Sequence, residues 1–351
     1  MNEFLKKIRQ NILQIFIGIF FTVVGLWFAF KDVEIKEIVN NLKNINFFYL
    51  FLFAISTILS LYIRGIRWHY LARHHKKISS YESYKICSIG FALNSLLPLR
   101  AGEIARAVYA RKNLNLSFSF AISMIIVERI YDFLIILSLF VPLFYNLNID
   151  PSFKLSFKSY TLNKAILEML IKKVSIIAAL GVIFLILIQF PFFQKLGFVS
   201  IRLIKGIFSY KIYKKILHSY LHLIKGFHSF KKLSTVMINI VLSFLVWFFI
   251  GISFYFMALG MNINLSIKGS FIVMLMICFG VMIPSSPGYW GLYELAGKFA
   301  MLLLGYKPDI SLAYTLMVHF WQTLVIVGLG LFYLFESGLS LSQVLSSEKN
   351  E

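Results

Sequence analysis

The hydrophobic positions of this chain fall into runs too long for strands and too uniformly apolar for the faces of soluble helices. Six of them extend from Ile12 to Phe30, Phe47 to Ile63, Phe118 to Tyr145, Val174 to Phe193, Val236 to Leu259 and Ile310 to Phe335. At ~1.5 Å per residue, ~20 apolar residues cross the ~30 Å hydrocarbon core of a bilayer, so each run reads as a transmembrane helix. The first follows the basic start Lys6-Lys7-Ile8-Arg9 and has no small-residue cleavage site, as expected of a retained signal anchor. The second ends at Arg64, Arg67 and Trp68, which read as interface anchors. Asn146 to Lys173 reads as a linker.

Two further apolar segments are interrupted. Ile86 to Lys112 contains Pro98 and Gly102, and Ser270 to Leu304 contains Pro284, Pro287, Gly288 and Gly291. Each runs apolar for roughly a dozen residues, breaks, and resumes as a helix carrying charge; such a half reaches only ~18 Å and cannot span alone. The expectation is two re-entrant or broken helical hairpins that meet near the midplane. The fold class is then an all-α integral membrane protein, with about six full transmembrane helices and the two hairpins in inverted orientation. Residues 1–340 form a single polytopic membrane domain and 341–351 a polar tail. Two broken but fully crossing helices, giving eight spans by the same length rule, are the alternative.

Charge distribution refines the topology. Lys195 to Lys232 carries nine Lys or Arg and no acid, with apolar residues recurring at three or four, so 195–232 reads as a basic amphipathic segment on an anionic cytoplasmic surface. If both hairpins return to the side they enter from, both termini, the Arg64 to Lys85 loop, Arg111-Lys112 and this segment share one face with 21 of the 35 basic residues. That face is expected to be cytoplasmic, in a multi-pass cell membrane protein. Across the 351 residues 59% are apolar and 14% charged, with a net charge of +20. In so apolar a chain that charge answers to lipid and the positive-inside rule, not to nucleic acid. Cys87 and Cys278 lie inside apolar stretches and read as reduced, buried thiols.

Candidate chemistry gathers at the two breaks. A half-helix starting near the midplane points free backbone N–H groups and its positive dipole end into the membrane, which suits an anion. Asn94, Arg100, Gly102, Glu103 and Arg106 surround the first break; Ser285, Ser286, Gly288 and Glu294 surround the second, with the serines placed as N-caps. These are the candidate substrate-binding residues. Glu128, Arg129 and Asp132 sit at membrane depth within one turn, as either a structural ion-pair network or a proton relay. His69, His74 and His75 are expected to face water. No metalloprotease, hydrolase or phosphate-loop motif occurs, and no catalytic residue, metal or cofactor is expected.

Four stretches also resemble a known family: Arg67-Trp68, Asn94 to Arg106 (NSLLPLRAGEIAR), Val127 to Asp132 (VERIYD) and Ile283 to Glu294 (IPSSPGYWGLYE). In this order they resemble the transmembrane region of the lysylphosphatidylglycerol synthase and flippase family, over about Ile8 to Phe335. Tyr289-Trp290 after Gly288 departs mildly from the usual glycine-rich form. The resemblance implies movement of an aminoacylated or other anionic lipid between leaflets, without the transferase domain of larger members. The expected function is translocation of a phospholipid or lipid-linked anionic substrate across the cytoplasmic membrane, not an enzymatic activity. The alternative is an accessory that presents lipid to a separate glycosyltransferase or lipid-modifying enzyme. Expected partners are membrane lipids, with a homo-oligomer and such an enzyme left open.

Overall fold

The computed structural model describes residues 20, 22–34, 36, 38, 45–73, 76–97, 100–145, 154–157, 160–187, 190–203, 205, 210, 213–214, 217, 233–282 and 287–338. Residues 22–30 are helical. The long helix α1 (Phe47–Ala72) is followed by α2 (Ser80–Leu96), α3 (Ala101–Leu114) and the long α4 (Phe118–Tyr145). Two short antiparallel strands, β1 (Lys154–Phe157) and β2 (Tyr160–Asn163), precede α5 (Lys164–Leu187) and α6 (Pro191–Leu203). Then come α7 (Leu233–Gly260), α8 (Ile267–Gly280), α9 (Leu292–Leu303) and α10 (Pro308–Glu336). The protein is thus an all-α membrane protein with one small β ribbon. The expected linker from Asn146 to Lys173 is corrected: it holds that ribbon and the first turns of α5. Most of the basic segment 195–232 lies outside the described residues, although α6 enters its start.

Among the described residues, α1, α7 and α10 are long and apolar enough to cross a membrane. Helix α4 has 28 residues but carries Glu128, Arg129 and Asp132 in its apolar run. Local signals fix the helix starts. Asn46 accepts from the Phe48 N–H at 3.0 Å, Ser79 from Glu82 N–H at 3.1 Å and Ser266 from Gly269 N–H at 3.0 Å. Each satisfies a backbone donor that the first helical turn leaves free. Pro308 opens α10, where its missing N–H removes nothing.

Both interrupted segments are hairpins that return. Helices α2 and α3 pack so tightly that a Cβ on Gly102 would stand 2.1 Å from the Gly90 carbonyl oxygen, and one on Gly90 2.1 Å from the Arg106 side chain. In the second hairpin a Cβ on Gly280 would stand 2.5 Å from Ala296 Cβ, while at the open end Tyr306 Oη donates to the Asn264 carbonyl at 2.6 Å. The hairpins enter from opposite ends of the bundle. The ends of α7 and α9 and the starts of α1 and α10 share one end, tied by Asn46 N–H to the Gly260 carbonyl at 2.8 Å. At the other end, Tyr81 Oη and Lys85 Nζ at the start of α2 donate to the Glu336 carboxylate at the end of α10, at 3.0 and 3.2 Å. The chain therefore repeats one unit, long helix, returning hairpin, long helix, in inverted directions: α1 to α4, and α7 to α10. Helices α1 and α7, the first long helix of each unit, pack against each other.

Candidate functional site

The interior of the first unit is built on arginine. Arg67, fully buried, donates from Nη1 to Asp132 Oδ1 at 2.6 Å and from Nη2 to Glu128 Oε1 at 2.8 Å. Arg106 Nη2 reaches the other Glu128 oxygen at 2.8 Å, and Arg64 Nη1 reaches Asp132 Oδ2 at 3.3 Å. Arg129 bridges Glu103 at 2.8 Å and Asp132 at 3.3 Å. Trp247 Nε1 and Ser243 Oγ on α7 add to the polar shell, at 3.1 Å from Asp132 Oδ1 and 2.7 Å from Arg67 Nη1, while Arg67 Nε and Arg106 Nε and Nη1 have no hydrogen-bond partner among the described residues. Glu128 and Asp132 share a face because they are four apart on α4, so one forked guanidinium can hold both. In a low-dielectric interior such charges persist only when paired and hydrogen-bonded.

Arg64, Arg67 and Trp68 are therefore not interface anchors. Helix α1 continues to Ala72, with Arg67 and Trp68 fully buried and Arg64 5% exposed, because Asp132 and Glu128 on α4 neutralise the guanidiniums where water would otherwise be needed. His69 does not simply face water either: its Nδ1 bonds the Ile78 carbonyl across the turn.

The hairpin tips meet. Arg100 Nη2 donates to the Val281 carbonyl at 3.3 Å, and a Cβ on Gly288 would lie 3.2 Å from the Ser95 carbonyl oxygen. Two expected details of the tips differ. Arg100 itself, at φ 54°, ψ 36°, carries the left-handed turn into α3, whereas Gly102 serves close packing against α2. The second returning helix starts at Leu292, after a separate turn at Pro287–Tyr289, and its cap is the Glu294 carboxylate accepting the Gly291 N–H at 2.7 Å. Ser285 and Ser286 lie outside the described residues.

Between the tips and the long helices lies a cavity of about 480 Å³. Its wall includes Asn94, Arg100, Glu103 and Gly288 from the expected set, together with Arg129 and Asp132. Arg106 and Glu128 stand behind the wall, engaged with each other, and Gly102 lies in the α2–α3 contact. Arg64 from α1 and His319 from α10 reach the cavity as well. Neither was among the expected site residues. His319 is buried, its Nδ1 bonded to Glu294 Oε1 and its ring stacked on Tyr293 at 4.0 Å. Around the cavity and the groups behind it, the five arginines 64, 67, 100, 106 and 129 stand against the four carboxylates 103, 128, 132 and 294, the last of them bonded to His319. The formal excess is one positive charge, His319 not counted. Among the described residues no group of three or more His, Cys, Asp or Glu is placed to hold a metal.

A UPF0104 membrane protein of Methanocaldococcus jannaschii is 28% identical over 263 residues, covering 74% of this chain and 98% of that protein. No solved structure matches the chain. The family model described as the lysylphosphatidylglycerol synthase TM region matches residues 15–330, a span that contains both hairpins and every charged residue of the cavity. The chain belongs to that family of membrane-embedded proteins.

Proposed function

We propose that the protein translocates a membrane lipid with an anionic headgroup, or a lipid-linked phosphate, between the two leaflets. The headgroup crosses through the cavity between the hairpin tips while the acyl chains stay in the bilayer. The observation that carries this reading is the surplus of guanidinium around that cavity: Arg64, Arg100 and Arg129 on its wall against Glu103 and Asp132, with Arg67 and Arg106 behind them against Glu128, and Glu294 behind His319. An uncompensated cation inside a bilayer is expensive, and a phosphodiester is the anion that a lipid supplies there. Arg64 meets its carboxylate only once, at 3.3 Å from Asp132, and Arg100 is exposed; Arg129 has its nitrogens on Glu103 at 2.8 and 3.0 Å and on Asp132 at 3.3 Å, yet keeps a third of its side chain exposed on the cavity wall. These three are the proposed phosphate contacts; Arg106 is proposed to set the position of Glu128. Membership in a family described by a phospholipid-modifying synthase supports a lipid substrate.

The reading makes the chain a transporter rather than a catalyst, in the cell membrane, with membrane lipid as its partner. The end that carries Arg73, Lys76, Lys77, Arg111 and Lys112 is proposed to be cytoplasmic, by the positive-inside rule. Leaflet-resolved lipid analysis of membranes with and without the protein tests the reading in cells. An anionic lipid should accumulate in one leaflet when the protein is removed; an unchanged distribution of every anionic lipid would count against it.

A further inference from the structure

The two inverted units carry matched acid–base pairs. Glu103 is the third residue of α3 and Glu294 the third of α9, while Arg129 is the twelfth residue of α4 and His319 the twelfth of α10. In each unit the acid at the start of the returning half-helix bonds a basic side chain on the long helix that follows: Arg129 Nη2 to Glu103 Oε1 at 2.8 Å, and His319 Nδ1 to Glu294 Oε1. Arg129 and His319 both stand on the cavity wall, each brought there by its own hairpin unit. The pairs differ in one chemical respect. A guanidinium is charged at every physiological pH, whereas an imidazole is charged only after it takes a proton.

From this correspondence we infer that His319 is the second cationic contact of the oxyanion site, acting only when protonated, so that anion binding draws one proton from solution. The inference rests on the reading of the cavity as an oxyanion site. Glu294 has both oxygens engaged, Oε2 by the Gly291 N–H at 2.7 Å and Oε1 by His319 Nδ1. Nδ1 therefore carries its hydrogen as donor to a carboxylate, and the proton that changes the charge of the ring arrives at Nε2, which has no hydrogen-bond partner among the described residues. The ring is stacked on Tyr293 at 4.0 Å and 10°, with the Trp290 ring at 4.4 Å and 38°.

Several titratable and charged groups share the cavity with His319. From α9 come Glu294 and Tyr293, from the second tip Tyr289, and from α8 Cys278. From the first unit come Arg64, Arg100, Glu103, Arg129 and Asp132. Helix α7 has no charged residue, and the charged residues of α2, Glu82 and Lys85, lie at its outer end beside Glu336. Lys298, one turn beyond Glu294, gives its Nζ to the Ala29 and Lys31 carbonyls at 2.8 and 2.6 Å. By residue type the carboxylates, guanidiniums, phenols and thiol of this set titrate away from neutrality, and imidazole does not.

The test uses the full-length protein in nanodiscs of neutral phosphatidylcholine, titrated calorimetrically with dihexanoyl phosphatidylglycerol and, separately, with sulfate. Neither probe changes its own charge between about pH 6 and about pH 8, so any proton taken up belongs to the protein. Titration in two buffers of different ionisation heat counts that proton. The unmutated protein should take up a substantial fraction of one proton per ligand near neutral pH, and its affinity should fall about fivefold or more from about pH 6 to about pH 8. His319→Gln should bind with the weaker, alkaline affinity at both pH values and take up no proton; His319→Arg, which copies Arg129, should bind with the tighter affinity at both.

Binding by the unmutated protein that is independent of pH, with no proton taken up, overturns the inference whether or not the variants fold, and leaves the oxyanion site standing. Proton uptake that persists in a well-folded His319→Gln also overturns it. Absence of binding of either probe at every pH removes the oxyanion site and the inference with it. Sulfate binding with His319-dependent uptake, in the absence of phosphatidylglycerol binding, supports the role of His319 and makes the ligand a free oxyanion instead of a lipid.

Discussion

Arg67 on α1 and Asp132 on α4 meet at 2.6 Å, 65 positions apart in sequence, and the same guanidinium holds Glu128 at 2.8 Å with its other nitrogen. This fork ties the long helices of the first unit together and, through the Ser243 hydroxyl at 2.7 Å, ties both to α7. Removing it takes one of two guanidiniums from buried Glu128 and the closest of the three from Asp132. Arg67→Ala should lower stability by ~3 to 5 kcal/mol, and Arg67→Lys by less but measurably, because an ammonium cannot make both parallel bonds. Thermal unfolding of detergent-solubilised protein, followed by size-exclusion monodispersity, reads the difference; equal stability of Arg67→Ala and unmutated protein would deny the fork its structural role.

Arg100 allows charge and backbone to be separated. Its backbone is left-handed, at φ 54°, a conformation that glycine adopts without steric penalty. Arg100→Gly should leave stability within ~1 kcal/mol, since relief of the left-handed strain offsets glycine's greater backbone entropy in the unfolded chain. Transport should nevertheless fall several-fold, because the exposed guanidinium on the cavity wall is gone. Full transport by folded Arg100→Gly would place the phosphate contacts elsewhere.

The first hairpin depends on close backbone approach. A Cβ on Gly102 would lie 2.1 Å from the Gly90 carbonyl oxygen and 2.5 Å from Asn94 N, both backbone atoms that have no side-chain freedom to yield. Gly102→Ala should destabilise by at least ~1 to 3 kcal/mol, as an overpacked contact does. Gly305→Ala is the control: unlike Gly102 it has positive φ, at 87°, and nothing lies within 4 Å of its Cβ position, so only backbone strain is added. A larger drop in unfolding temperature for Gly305→Ala than for Gly102→Ala would contradict the packing argument.

The long helices and the two breaks were legible because apolar length and Pro/Gly interruption act locally. So was the shared face of Glu128 and Asp132, which follows from helical spacing alone. What that spacing could not show was the partner. Arg64 and Arg67 looked like interface anchors because the carboxylates that allow their burial lie on another helix, and Arg106 looked available because its engagement with Glu128 spans 22 positions. His319 carried one signal, a lone imidazole in an apolar run, and its acid lies on α9, 25 positions back. The β ribbon before α5 has only four residues per strand, too few for alternation to stand out from a mixed linker.

Orientation is open to direct chemistry. In protein with Cys87 and Cys278 replaced, Lys112→Cys at the end of α3 should react with a membrane-impermeant thiol reagent only after cells are opened, and Lys307→Cys before α10 should react in intact cells. Both positions are exposed and lie at opposite ends of the bundle. The reverse pattern would invert the proposed topology, and equal labelling of both in intact cells would contradict entry of the hairpins from opposite sides of the membrane.

The central claim is transport of an anionic headgroup by this chain alone, and reconstitution measures it without other proteins. Purified protein in phosphatidylcholine vesicles, carrying a trace of fluorescent phosphatidylglycerol in both leaflets, is exposed to a membrane-impermeant reductant that bleaches only the outer leaflet. The account predicts that bleaching proceeds past the outer-leaflet half toward completion, faster for fluorescent phosphatidylglycerol than for fluorescent phosphatidylcholine, and that Arg100→Gly slows it several-fold. Bleaching that stops at the outer-leaflet half in vesicles shown to contain folded protein, as it does in empty vesicles, would contradict the claim.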